Sequence, residues 1–432
     1  MLDLIGVGVG PFNLSLAALL DGVGGVRARF FEARPRIAWH AGLLFDDATV
    51  QSPYLKDLVT LVDPTSPFSF LNYLRCERRL HRFIIAGYPN VLRKEFNAYF
   101  EWVARRLPTL TFGAAVERVD FSRDRFVVST QGSRLAARNI VLGVGRVPNV
   151  PEPARPHLGP SVFHGTEYLH RRSATRGKRV AIIGGGQTGA EIFHDLIGDR
   201  TGPPAHVTWA TRRHNFLPFD ESAFANELYV PGYTRHFFGL PPAQREWLLE
   251  RQKTTSDGIS ESLLQRIYQR LYELDHLCGE GTHGYRLLVD RRLRALTRDG
   301  GAWTVVTDGP AGCEHTRVDV VILATGFRFA VPAALEPILD RIRLDGEGRF
   351  RMQEDFAISW AGPPRNRIYA HNASLHGHGW VDPNFAGMAW RSAVIINSLL
   401  ERSVYDTDGG ETAIDWGGPP AAAVEHERRV AG

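Results

Sequence analysis

The sequence predicts an α/β chain of two Rossmann-like dinucleotide-binding domains with a mainly helical excursion attached to the second. Three observations carry this expectation. Two glycine loops, one opening at Gly6 and one at Gly184, each follow a short apolar strand and lead into a helical pattern. The stretch VRARFFE brings the acid Glu32 back after the first loop. Two later apolar runs, NIVLGVGRVPNVP and VDVVILATGFRF, each read as a buried parallel strand ending in glycine.

The first loop, Gly6-Val7-Gly8-Val9-Gly10-Pro11-Phe12-Asn13, departs from GxGxxG by carrying Pro11 at the third position. Proline suits the first turn of a helix, where its missing N–H would be unpaired anyway. The opening stretch MLDLIGVGVGPFNLSLAALL has neither the basic start nor the small-residue site of a leader, and its glycines interrupt a membrane span. The second loop, GGGQTG, holds Gly184, Gly186 and Gly189 in full register, with Gln187 and Thr188 between them. The strand after it, HVTWATRR, ends in Arg212 and Arg213 with no acid, which favours the 2′-phosphate of NADP and makes Arg212 the expected contact.

The chain leaves the first fold near Pro151 and returns near Gly326, so the second domain is expected to be inserted in the first. The divisions are 1–167 and 326–432 for the first domain and 168–325 for the second, with a helical segment at about 216–284. Its SESLLQRIYQRLYEL run has helical apolar spacing, with Leu and Tyr positions expected in the core. The Gly-, Pro- and Ala-rich tail from about Gly409 reads as a frayed end. Two dinucleotide loops in one chain point to a flavoprotein reduced by a nicotinamide, with FAD on the first and NADPH on the second.

Bulk composition narrows the field. The 432 residues are 44% hydrophobic and carry a net charge of +4, giving no reason to expect nucleic acid or a membrane surface. Cys76, Cys278 and Cys313 lie far apart, which argues against a disulfide framework, a zinc site or a dithiol centre and fits a reducing, cytoplasmic setting. The basic run RRSATRGKR reads as a solvated connector. His376 and His378, in a glycine loop, are weak evidence for a metal, and none is expected.

The stretch VQSPYLKDLVTLVDPTSPFSFLNYL makes the resemblance specific. With GVGVGPFN, AWHAGLLF, GGGQTGAEIF, FDESAFANELY, KTTSDGI, ATGF and MAWRSA, in that order, the chain resembles the flavin-dependent N-hydroxylating monooxygenases of hydroxamate siderophore pathways, the lysine 6-monooxygenase and ornithine 5-monooxygenase group. The resemblance implies that Gly6, Gly8, Gly10, Pro11 and Asn13 form the FAD pyrophosphate loop and that Glu32 meets its ribose. It places Trp39, His40 and Gln51 near the isoalloxazine, with Gln51 a candidate catalytic group in an otherwise flavin-centred reaction. Gly184, Gly186, Gln187, Thr188, Gly189 and Arg212 hold NADPH. Lys56 meets a substrate carboxylate, and Asn226 lies at the same α end. Thr255 replaces an asparagine of the ornithine branch, and Ala386 stands where relatives often carry serine. Homo-oligomers, dimer or tetramer, are implied by the family alone.

The implied reaction uses NADPH and molecular oxygen to N-hydroxylate the terminal amine of a small substrate through a flavin hydroperoxide. The nucleophile is the neutral amine, whose free pKa is about 10.4, so neutralisation near pH 7.5 opposes the reaction by roughly 4 kcal/mol. An apolar pocket lowers that cost, and the charged contacts belong at the other end of the substrate. A carboxylate there wants Lys56, whereas a diamine needs a compensating acid such as Glu221, Glu227 or Asp382. The expected substrate is L-lysine; cadaverine, putrescine and L-ornithine are the alternatives. A flavin reductase or a non-catalytic nucleotide sensor is the reading of another class.

Overall fold

The computed structural model describes residues 1–198, 202–278, 284–410 and 412–417. The tail expected to fray from about Gly409 is instead packed at Trp416, whose ring stands 4.6 Å from that of Tyr233, and its remainder beyond 417 lies outside the described residues.

Among these residues the first sheet has seven strands. The strand Leu2–Val7 sits at its centre, parallel to Ala28–Phe31 on one side and to Ser133–Leu142 on the other. Ile368–Ala370 adds in parallel to the far side of Ser133–Leu142, so chain from both ends of the sequence completes the sheet. The helix Met388–Leu400 returns to pack on Pro11–Asp21, where Ser392 Oγ donates to Ser15 Oγ at 3.1 Å. The helix Arg93–Ala104 packs Phe96, Tyr99, Phe100 and Trp102 with Phe70 and Tyr73 beneath it. Each such ring contributes about 2–3 kcal/mol by leaving water.

The second sheet has five strands, four of them Val162–His164, Arg179–Ile183, His206–Ala210 and Val320–Leu323, with Gly284–Leu288 at one edge, all parallel. Its opposite edge strand, at 162–164, lies on the near side of the division expected at 168. The helix Gln187–Gly198 packs against Glu261–His276 through Leu263, Ile267, Leu271 and Leu274. Tyr268 and Tyr272 in that second helix are exposed instead of joining the core. They fall on the face opposite the leucines, and a phenol tolerates water at one end.

Two further departures concern strands. The run expected as a strand over 139–151 is strand only to Leu142, because Gly145 turns the chain with φ +73°. Val147–Pro148 then pairs antiparallel with Phe327–Arg328, a short ribbon where the chain passes between the two folds. Antiparallel strands that the sequence reading did not anticipate also occur, at 116–142 and in a three-stranded sheet at 292–318. The basic connector is ion-paired to its own fold: Arg171 with Glu167, Arg172 with Asp195 and Arg179 with Asp319. Among the described residues no helix is long and apolar enough to cross a membrane.

Candidate active site

A cavity of about 1500 Å³ lies between the two sheets and is lined by both glycine loops. On the first side Gly8, Gly10 and Pro11 face it, and the Pro11–Asp21 helix starts there with no side chain capping its free N–H groups. Gly8 has φ +84°, and a Cβ on it would stand 2.8 Å from the Gly143 carbonyl oxygen. Gly6 and Asn13 lie behind the loop instead: Phe30 covers Gly6, and Asn13 Nδ2 donates to the Gly8 carbonyl at 2.7 Å. They shape the loop without lining the cavity.

Glu32 lines the cavity and accepts from Val9 N at 2.8 Å and from Arg34 N and Nε, each at 3.0 Å. Burial alone would raise its pKa, but those bonds and the Arg34 charge outweigh it and hold the carboxyl below its ordinary value. An ionised acceptor at the strand end and bare N–H groups at a helix start fit the ribose and pyrophosphate of FAD. Trp39, His40 and Gln51 also line the space. The Trp39 ring stands 4.9 Å from that of Phe385. His40 opens to the cavity, and poor solvation there, followed by the Arg93 and Arg34 charges, lowers its imidazole to about 4.

On the second side Gly184, Gly186, Gln187 and Thr188 line the cavity and Gly189 does not. A Cβ on Gly189 would stand 2.2 Å from the Gly184 carbonyl oxygen, so this glycine lets helix and strand approach. Arg212 is exposed at the cavity edge. Arg213 is turned inward, donating to the carbonyls of Asp257 at 2.9 Å and Gly185 at 3.4 Å. This division leaves Arg212 available to a 2′-phosphate. Arg292, from the three-stranded sheet, joins the same lining and was not anticipated, since its strand was not.

The expected substrate residues come together in part. Lys56 Nζ donates to Asn226 Oδ1 at 3.2 Å and stands 6.0 Å from the Tyr229 ring centroid. Burial lowers the Lys56 pKa, and among the described residues no carboxylate pairs with it. Thr255 is not aimed at an amine: its Oγ1 donates to the Gln252 carbonyl at 2.6 Å, and its own carbonyl accepts from the Tyr229 hydroxyl. Lys56 and Asn226 lie outside the cavity lining. Tyr229, which sequence reasoning passed over, packs with Trp380, Val381 and Ala386, and Trp380 lines the cavity. The FANELY motif was the available signal for it.

Of the acids considered for a diamine, Asp382 is committed to Ser374 and Arg391. The nitrogens of the two loop histidines meet backbone: His376 Nε2 lies 2.9 Å from the Phe350 carbonyl and His378 Nε2 lies 3.2 Å from that of Glu354.

Comparison with known proteins agrees with this geometry. Residues 1–329 match the family described as L-lysine 6-monooxygenase/L-ornithine 5-monooxygenase. The L-lysine N6-monooxygenase of Escherichia coli is 39% identical over 418 residues, covering 96% of this chain and 98% of the relative. The FAD-bound cadaverine monooxygenase of the desferrioxamine pathway from Erwinia amylovora superposes with a TM-score of 0.89 at 30% identity, covering 96% of this chain and 98% of its own. An ornithine N-hydroxylase from Kutzneria, solved with reduced FAD, NADP⁺ and L-ornithine, gives 0.86 at 27% identity, over 93% and 99%. The chain belongs to the L-lysine 6-monooxygenase/L-ornithine 5-monooxygenase family, the flavin N-hydroxylases of siderophore biosynthesis, with FAD and NADP(H) as cofactors.

Proposed function

We propose that this enzyme N-hydroxylates the side-chain amine of L-lysine, drawing its electrons from NADPH. The observation that carries the reading is Lys56. Its ammonium is partly buried, points to Asn226 and has no carboxylate partner among the described residues. A buried cation left without an anion is costly, and a substrate carboxylate would complete it. A diamine would bring a second cation to the same place, where Asp382 is already engaged and an acid left to answer it nearby is Glu227, whose Oε2 is buried with no hydrogen-bond partner.

Reduced FAD, when bound, activates molecular oxygen for transfer to the amine. The protein does the rest. Lys56 and Asn226 hold the α end, so the side chain of the substrate extends toward the cavity. Trp39, Trp380 and Phe385 present apolar surface there, which excludes water and favours the neutral amine over its ammonium. His40, uncharged near neutral pH, adds no cation to repel the substrate.

The likeness to a cadaverine monooxygenase keeps a diamine substrate as the second reading. Hydroxylamine formed per NADPH consumed, with lysine, ornithine, cadaverine and putrescine in parallel, separates them. Lysine is expected to give the highest yield, and Lys56→Met is expected to raise its KM about tenfold or more, with little change for cadaverine. A diamine turned over best by the wild-type enzyme would overturn the lysine assignment.

A further inference from the structure

Four side chains from distant parts of the sequence form one hydrogen-bonded chain along the cavity wall, Arg93, Gln187 and Gln51 lining it and Glu191 standing behind. Arg93, on the Arg93–Ala104 helix, donates through Nη2 and Nη1 to the two oxygens of Glu191 at 2.7 and 2.9 Å. Its Nε donates to the Thr49 carbonyl at 3.2 Å, just ahead of Gln51. Gln187 Nε2 donates to Glu191 Oε1 at 2.8 Å. Gln187 Oε1 then accepts from Ser260 N at 2.9 Å and from Gln51 Nε2 at 3.3 Å. The flavin-side segment, the nicotinamide-side helix and the helical excursion thus meet at the Gln187 amide.

The chain has a direction. An amide can turn either end to a neighbour, but an ionised carboxylate only accepts. Burial raises the Glu191 pKa and the Arg93 charge opposes it; with both its oxygens accepting from Arg93, Glu191 takes the NH₂ of Gln187 and leaves Gln187 its oxygen for the other two partners. The backbone N–H of Ser260, which only donates, demands the same orientation. Gln51 must in turn give its own NH₂ to Gln187, and the acceptor left over is Gln51 Oε1, on a side chain that lines the cavity.

We propose that Glu191, held by Arg93, is a positioning residue that acts through Gln187 to fix the Gln51 amide with its oxygen free for an N–H donor in the cavity, a reduced flavin or the substrate amine. This rests on the placement of Gln51 beside the flavin and is independent of which amine is the substrate. Fixing an acceptor in advance favours one orientation of the reacting groups, so its loss should appear as reducing equivalents spent without hydroxylation.

The test compares Gln187→Ala, Gln51→Ala and the double variant at saturating NADPH, with whichever amine gives the wild-type enzyme its highest yield. Gln187→Ala leaves the Arg93–Glu191 pair in place. Each single variant is expected to lower hydroxylamine per NADPH oxidised about threefold or more, with melting temperature near wild type; because the yield is counted per NADPH consumed, a change in nucleotide affinity at Gln187 does not enter it. The double variant is expected to lose no more than either single one, as residues acting in series do. Wild-type yield in Gln187→Ala, or losses that multiply in the double variant, would overturn the relay. Wild-type yield in Gln51→Ala would remove Gln51 from the flavin site and the relay with it. A fall in melting temperature with unchanged yield would leave Gln187 a structural brace only.

Discussion

Arg391 Nη1 lies 2.6 Å from Asp382 Oδ1, and both side chains are 1% exposed. Asp382 also accepts from Ser374 N and Oγ, each at 2.9 Å, and the Arg391 guanidinium stands 4.3 Å from the Phe12 ring centroid. The pair therefore ties the loop after the last strand of the first sheet to the helix that begins at the FAD loop. Removing one member of a buried pair leaves the other charged and uncompensated. Asp382→Ala is expected to destabilise the protein by about 3–5 kcal/mol in urea denaturation, with FAD released early in the transition. A loss below about 1 kcal/mol would mean that Arg391 finds another partner.

Arg212 and Arg213 are neighbours in sequence with different tasks. Arg213 is held by two carbonyls, while Arg212 is open at the cavity edge. Arg212→Ala is expected to weaken NADPH about tenfold or more and to leave NADH unchanged, a loss of 1.4 kcal/mol per decade. Steady-state kcat/KM for the two nucleotides checks this. Equal losses for both would assign the arginine to a part of the cofactor they share.

Two buried histidines make stability depend on mild acid. Burial, against the pull of Asp382, lowers His378 to about 4, and burial and the Arg391 charge take His371 well below its ordinary value. Between those values and about 6.5 the unfolded chain takes up protons that the folded chain refuses. Stability is therefore full above about pH 6.5 and falls as the pH drops toward 4. For His378, which is 2% exposed, the effect amounts to about 3 kcal/mol. The urea midpoint is expected to fall between about pH 7 and pH 4.5, and His378→Gln is expected to flatten that slope. A midpoint independent of pH over this range would contradict the assignment.

Much of this architecture is legible in sequence because local chemistry decides it. A glycine loop between a strand and a helix has few structural meanings, and both loops line the cavity, though without Gly6, Asn13 and Gly189. The 261–276 helix announces its buried face through Leu263, Ile267, Leu271 and Leu274. What stays hidden depends on side chains that could turn either way. Thr255 has a hydroxyl free to cap its own turn, and it does so at the Gln252 carbonyl. Gly189 carries the fingerprint of a cofactor contact and serves helix packing. Gln51 and Gln187 lie 136 positions apart, and no periodicity relates them. The Lys56–Asn226 contact was reachable only through resemblance, since a loop lysine and an asparagine beside a helix are ordinary surface residues.

The strand Ile368–Ala370 gives the first sheet an order of assembly during synthesis. The second sheet takes its strands from residues 162–323 and has all of them once that stretch has left the ribosome. The first sheet still lacks its strand at 368–370, and the helix at 388–400 that packs on the Pro11–Asp21 helix comes later still. The nascent chain must therefore carry an unfinished flavin site while the nicotinamide fold is already able to form. Truncation between residues 324 and 367 is expected to leave the second sheet complete and the flavin site unfinished, so that flavin loading waits for the last part of translation.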